Sequence, residues 1–246
     1  MFIPRQTKKE RKIIFLTGAG LDAPSGIQTF RGSNGLWNGH DIQQVCNEST
    51  WLKNYELVHD FYNQRRTELK NAEPNLAHKT IKKITDKYGK NNVWHITQNV
   101  TDLNERAGAE VLHLHGELTK IQCEDCGEIQ DIGYTEFDYK NSSCPKCDCK
   151  VIRPKIVFYG SSAPMYSYMT RALDYTNHPE TIIVVIGTQG NVIPIDAMIK
   201  GQPAIKILAN MESSEDLPEK RFKHIFYEDI ETSILKIEEI IDGIWS

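Results

Sequence analysis

The 246-residue chain has no apolar run near the roughly 20 residues that a membrane-spanning helix requires. An integral helical membrane protein is excluded on that ground. It also has no excess of positive charge: 29 Lys and Arg stand against 33 Asp and Glu, for a net charge of −4. Proteins whose main partner is the nucleic-acid backbone carry a clear basic excess, so nucleic acid is not an expected partner. The basic segment 1–12 has no apolar stretch behind it. No secretory leader is therefore expected, and the expected state is a cytoplasmic monomer without a membrane partner. Cysteine is scarce too, but five of the six cysteines fall between Cys123 and Cys149, with Cys46 apart. In a reducing interior such a cluster points to a metal rather than to disulfides.

What is present is enough for a core. Apolar residues make up 39% and charged residues 25% of the chain, which argues against disorder. Short β-branched runs at 13–17, 93–97, 182–186 and 204–208, with a weaker one at 225–227, read as buried parallel strands. Amphipathic stretches near 51–70, 76–87 and 230–241 read as helices. In the last, Ile230, Ile234, Ile237 and Ile241 recur at helical spacing. Such alternation predicts an α/β fold, a Rossmann-like doubly wound parallel sheet that binds ligands beyond the carboxyl ends of its strands. Residues 119–152 break the pattern, being poor in large apolar side chains, and cannot build a core unaided.

Cys123-x2-Cys126 and Cys144-x2-Cys147, separated by seventeen residues, supply what that segment lacks. Two such knuckles offer four thiolates in a tetrahedron, the spacing of a structural zinc ribbon. Four sulfur ligands leave no position for a catalytic water, so the metal's expected role is to contribute folding energy. Cys149 comes too soon after Cys147 to be a preferred ligand, and Cys46 reads as a small packing residue.

After the first strand comes Gly18-Ala19-Gly20-Leu21-Asp22-Ala23, a glycine-rich turn of the dinucleotide-binding kind. Beyond this turn the chain departs from the pattern of a dehydrogenase. Pro24-Ser25-Gly26 interrupts the helix, no acidic strand end appears some twenty residues on, and the chain enters a polar, glycine-bounded loop at 27–32. A nucleotide site with a covering loop fits better than a hydride-transfer site.

The string from Gly18 to Arg31 resembles the opening motif of the sirtuins, the NAD-dependent protein deacylases. The resemblance continues through Thr97-Gln98-Asn99, His113-Leu114-His115-Gly116-Glu117-Leu118, the segment 153–160, Gly187-Thr188-Gln189-Gly190-Asn191 and Asn210, in the family's order. It implies a large domain (1–31, 76–118 and 153–246) that binds NAD and a smaller helical and zinc-binding one (32–75 and 119–152). It implies that His115 is the general base, working through the NAD ribose hydroxyls, while the acyl-lysine oxygen attacks C1′ and nicotinamide leaves. The product is then O-acyl-ADP-ribose. A histidine suits the task because its ordinary pKa, about 6.5, lies near working pH. Asn99 is implied as its catalytic companion, with Gln98, in orienting the ribose and a water. The implied cofactor-binding residues are Gly18, Ala19, Gly20, Phe30, Arg31, Trp37, Gln98, Asn99, Gly187, Thr188, Gln189 and Asn210. Val157, Phe158 and Gly160 are implied to pair with the substrate peptide.

Tyr62 and Arg65 stand three apart and share a helix face. With Gly35-Leu36-Trp37, they resemble the sirtuin branch (class III) that removes succinyl and malonyl groups. A guanidinium binds a carboxylate bidentately and a phenol adds a donor. The expected activity is thus desuccinylase and demalonylase, with deacetylase activity beside it.

Departures from the family pattern stand out at four positions. Thr101 occupies the place of an aspartate that normally accepts from the nicotinamide amide, leaving Asp102 as a substitute. Gln189 replaces a serine. Ser161 replaces a common glutamate, and Asp22 stands at a common serine position. They leave two alternatives open: NAD hydrolysis or ADP-ribosyl transfer by the same site, and a binding module without turnover.

Overall fold

A computed structural model describes residues 10–29 and 42–245. In chain order its strands are β1 Ile13–Thr17, β2 Val93–Thr97, β3 Leu112–His113, β4 Gly116–Cys123, β5 Ile129–Asp131, β6 Ile152–Ile156, β7 Ile182–Ile186, β8 Ile205–Asn210 and β9 His224–Tyr227. Its α-helices are α1 Ile42–Val45, α2 Tyr55–Asn71, α3 Leu76–Tyr88, α4 Leu103–Arg106, α5 Met165–Tyr175, α6 Ile195–Ile199 and α7 Ile230–Trp245.

The five-residue strands β1, β2 and β7, largely apolar, are buried at every position because helices cover both faces of their sheet. Successive side chains alternate between those faces. Ile14 and Leu16 join one apolar cluster with Met169 and Leu173 of α5. Ile13 and Phe15 join the other, with Ile81 and Ile84 of α3 and the isoleucine stripe of α7. Burying each such isoleucine contributes about 1.5–3 kcal/mol. The sheet is parallel throughout, in the order β3-β2-β1-β7-β8-β9. The chain leaves β1 toward β2 on one side and returns to β7 on the other, so strand order reverses beside β1. A cleft opens where the connections diverge.

The elements differ from the sequence expectation at their ends. The helix expected from Trp51 starts at Tyr55, because residues 47–54 form turns that press Trp51, 1% exposed, edge-on against Phe158. The last helix runs past Ile241 to Trp245, which packs on Tyr88.

β5, β4 and β6 form a second, antiparallel sheet of three strands. Only five residues make up the buried cluster beside the cysteines, two of them Cys123 and Cys144 themselves. A larger cluster, including Trp51, Phe61, Tyr62, Leu118, Ile156 and Phe158, joins α2 to this sheet. Arg66, fully buried, ties the two together by donating from Nε to the Leu118 carbonyl (2.9 Å) and from Nη1 to Asn63 Oδ1 (2.8 Å). Its burial, without a carboxylate beside it, pulls the guanidinium down to about 10.

Candidate functional site

The turns after β1 and β7 interlock. Gly18 and Gly20 donate their N–H groups to the carbonyls of Ile186 and Gly187, both at 2.9 Å. A Cβ on Gly20 would lie 2.5 Å from Gly187 Cα, so only glycine permits this approach. The glycine motif predicts N–H groups that face a pyrophosphate. In the structure they hold one turn against the other, and Gly18, Ala19 and Gly20 still line the cleft. Asn210, at the end of β8, clamps Thr188. Its Oδ1 accepts from the Thr188 N–H (3.1 Å) and its Nδ2 donates to the Thr188 carbonyl (2.9 Å). Gln98 donates to Thr188 Oγ1 (3.1 Å), and Ser214 to the Gln189 carbonyl (2.7 Å). The ends of β1, β2, β7 and β8 are laced into one wall.

That wall bounds a cleft of about 730 Å³, a volume suited to a small-molecule ligand. It is lined by Gln98, Asn99, His115, Gly187, Thr188, Gln189 and Asn210, and also by Tyr62, Arg65, Val157, Phe158 and Gly160. The structure thus brings together both groups of residues singled out in the sequence. Phe30, Arg31 and Trp37 lie outside the described residues.

His115 has one tautomer compatible with its partners. Nδ1 faces the Gln98 carbonyl at 3.0 Å and must carry the proton. Nε2 then holds the lone pair and accepts from the Tyr166 hydroxyl at 2.8 Å. Burial lowers the pKa of this ring, with the Gln98 carbonyl opposing, so the imidazole is a free base at neutral pH. Asn99 donates from Nδ2 to the Gly18 carbonyl (3.0 Å), while its Oδ1 is buried in the cleft wall without a partner. An orphaned acceptor there suits a ligand hydroxyl or water. His113 holds this loop from behind, with Nδ1 on the Asn99 carbonyl and Nε2 on Glu105, each at 2.7 Å. Burial pulls His113 down, but Glu105 and the Asn99 carbonyl outweigh it and raise the ring above its ordinary value.

Thr101 does not stand alone where an aspartate is usual. Its hydroxyl donates to Asp22 Oδ2 at 2.6 Å, and Asp22 Oδ1 meets His78 Nε2 at 3.0 Å. His78 Nδ1 accepts from the Asn75 N–H in a helix-capping box, so its Nε2 carries the proton toward Asp22. Asp22, 1% exposed, lines the cleft. Asp102 instead meets Tyr134 at 2.5 Å and is not part of that lining. The carboxylate on this side is therefore Asp22, not the neighbouring Asp102. Ser161 shows the same pattern, its hydroxyl donating to Glu48, which also pairs with Arg153 (3.1 Å).

Tyr62 is 5% exposed and lines the cleft, its ring stacked on Phe158 with centroids 6.1 Å apart. Cys46 packs in the same apolar cluster and lines the cleft as well. Arg65 is in the lining with its Nη2 on Glu68 Oε1 at 2.5 Å, and its buried Nε has no partner.

The sulfurs of Cys123, Cys126, Cys144 and Cys147 lie within 4.8 Å of one another, with Cys123–Cys147 and Cys126–Cys144 each at 3.6 Å. A zinc tetrahedron with Zn–S bonds of about 2.3 Å has sulfurs about 3.8 Å apart, so the four residues fit the ion. Backbone N–H groups, first that of Cys126, lie against the Cys123 sulfur and favour its thiolate form. Cys149 turns its sulfur to the Val151 N–H instead (3.4 Å).

Tyr166, Glu68 and His78 do not stand out in the sequence. Glu68 has a visible signal, the i,i+3 spacing from Arg65. His78 has one in its position three after the cap Asn75. Tyr166 lies 51 residues beyond His115 and has none.

Comparison with known proteins agrees with this geometry. Residues 18–194 match the model of the Sir2 family. A Helicobacter hepaticus protein named NAD-dependent protein deacylase is 40% identical, over 94% of this chain and 97% of its own. A Campylobacter jejuni protein of the same name is 42% identical, over 92% and 94%. A solved Sir2 homologue in complex with ADP ribose aligns at a TM-score of 0.81 and 29% identity, over 94% of this chain and 92% of that one. A Sir2 homologue–NAD complex aligns at 0.78 and 29% identity, over 96% and 91%. The chain belongs to the Sir2 family, the sirtuins.

Proposed function

We propose that this chain, an NAD-dependent protein deacylase, removes succinyl and malonyl groups from lysine in preference to acetyl groups, which it also accepts. The observation that carries the preference is Arg65. Its side chain is 11% exposed, lies in the same cleft as His115 and keeps a buried N–H without a partner. A carboxylate at the end of an acyl chain would satisfy that group.

NAD, when bound, supplies an electrophilic ribose carbon with nicotinamide as its leaving group. Gln98, Thr188, Gln189 and Asn210 would hold it along the laced wall, and the orphaned Asn99 Oδ1 supports this fit. His115 takes a hydroxyl proton at Nε2, while the Gln98 carbonyl on Nδ1 steadies the imidazolium that forms. Asp22, rather than residue 101, offers a carboxylate to the nicotinamide amide. Residues 157–160 are tied on one side, Val157 N–H to the His115 carbonyl and Tyr159 N–H to the Cys46 carbonyl, both at 2.9 Å. The other side of Val157, Phe158 and Gly160 would pair with the substrate peptide as an added strand. Zinc on the four cysteines has a structural part only. The division of the chain into the two domains expected from the sequence belongs to the same reading.

The test is to incubate the protein with NAD and matched acetyl- and succinyl-lysine peptides and to quantify products by mass. Succinyl-lysine should be the better substrate, and Arg65→Met should lower its turnover far more than that of acetyl-lysine. Equal turnover of the two peptides by the unaltered protein would sink the proposed preference.

A further inference from the structure

We infer that Glu68 is a resident counter-ligand of Arg65, a carboxylate built into the acyl pocket that sets how strongly the enzyme discriminates acidic from neutral acyl groups. The inference rests on the acidic-acyl reading of Arg65 and adds a residue to it.

Both residues lie on α2, three apart, and both line the cleft. Glu68 Oε1 takes Arg65 Nη2 at 2.5 Å and also accepts from Gln64 Nε2 at 3.3 Å. The Arg65 guanidinium lies over the Phe61 ring, 5.1 Å from its centre. Its side chain is 11% exposed, whereas that of Glu68 is 38% exposed. The arginine is therefore the buried, anchored partner, and the glutamate is the one with room to leave.

The charges have opposite effects on the two kinds of acyl group. An acetyl group brings no charge, and without Glu68 it would leave a largely buried guanidinium uncompensated, which is costly. Glu68 removes that cost, so the pocket tolerates neutral acyl chains. A succinyl or malonyl group brings a second carboxylate to the same guanidinium. It can enter at the unpartnered Nε, but it meets the charge of Glu68 and must push it toward solvent. One residue thus favours acetyl-lysine and opposes succinyl-lysine, which narrows the preference for succinyl-lysine without reversing it.

The experiment compares the unaltered protein, Glu68→Gln, Arg65→Met and the double variant with acetyl- and succinyl-lysine peptides and NAD. Glutamine keeps a carbonyl acceptor for Arg65 and removes only the charge. Glu68→Gln should raise the ratio of succinyl to acetyl kcat/KM at least tenfold, equivalent to about 1.4 kcal/mol. It should also tighten the succinyl-lysine peptide measured by calorimetry without NAD. In the Arg65→Met background the same change should alter the ratio less than twofold, since its effect runs through Arg65. If Arg65→Met still cripples succinyl turnover but Glu68→Gln leaves the ratio unchanged or lowers it, Glu68 is not a counter-ligand and the acyl reading stands. If Arg65→Met leaves succinyl turnover intact, both fail together.

Discussion

Replacing Thr101 by valine should cost a large share of the protein's margin of stability, although the two side chains differ little in size. The Thr101 hydroxyl donates to Asp22 Oδ2 at 2.6 Å, and the two residues are 5% and 1% exposed. Water cannot readily replace the lost donor. A hydrogen bond to a charged group is worth about 1.5–3 kcal/mol, and its loss leaves a buried carboxylate oxygen unsatisfied. For a chain of this size each kcal/mol moves the melting temperature by about 2–4 °C, so the expected fall is ~3–12 °C. Asp22→Thr should cost more, because it also removes the acceptor of His78 Nε2. The decisive protein is the exchange, Asp22→Thr with Thr101→Asp, in which the same two groups face each other the other way round. Scanning calorimetry of the unaltered protein, Asp22→Thr, Thr101→Asp and the exchange yields the coupling, and the exchange should be more stable than the summed single losses by about 1–2 kcal/mol. Losses that add to within about 0.5 kcal/mol would mean that the two side chains do not interact, and the assignment of Asp22 as the displaced carboxylate would go with them.

The same geometry sets the outcome of other perturbations. Tyr166→Phe removes the donor that favours neutral His115, so the acid limb of the kcat/KM profile should move up by about half to one pH unit. A limb that stays in place shows that the hydroxyl does not act on the base. His113 has a raised pKa in the fold, so the stability it contributes is complete below its unfolded value near 6.5 and lost as pH rises through the higher folded value. The gap in melting temperature between the unaltered protein and Glu105→Gln should therefore be wider at pH 6 than at pH 9. The purified protein should release one zinc per chain to a strong chelator, with loss of near-ultraviolet circular dichroism, and Cys144→Ser should bind less than a tenth as tightly.

Much of the sheet is legible in the sequence because β1, β2 and β7 are covered on both faces, and strands so covered are mostly apolar, with Thr17, His95 and Thr97 buried only as a hydrogen-bonded set. The zinc ligands are legible because their chemistry fixes their spacing. What the sequence hides is the pairing of side chains across long separations. Asp22 and Thr101 each look like a departure from the family, and only in the fold do they meet, 79 residues apart. Ser161 and Glu48 repeat this at 113 residues. In both cases a hydroxyl has replaced a carboxylate, and a carboxylate from another segment comes to meet it. The interlocked glycines carry the same lesson, since their motif reads as phosphate binding while their N–H groups are occupied by the neighbouring turn.

His115 immediately precedes Gly116, the first residue of β4, and Cys123 is the last residue of that strand. A bulge between Gly116 and Ile121 shortens the strand, so its two ends face the five residues of β6 and lie roughly 13–17 Å apart. β6 runs alongside in the opposite sense, with Ile152 opposite Cys123 and Ile156 opposite Gly116, just before Val157 meets His115. The two strands form a splint, with the cysteines at one end and, at the other, His115, the proposed base, and the segment from Val157 proposed to face the peptide. An ion that touches no reactant can in this way decide whether the reactants meet in register. Loss of turnover on chelation would then report a slackened splint, and would be no sign that the metal takes part in bond making.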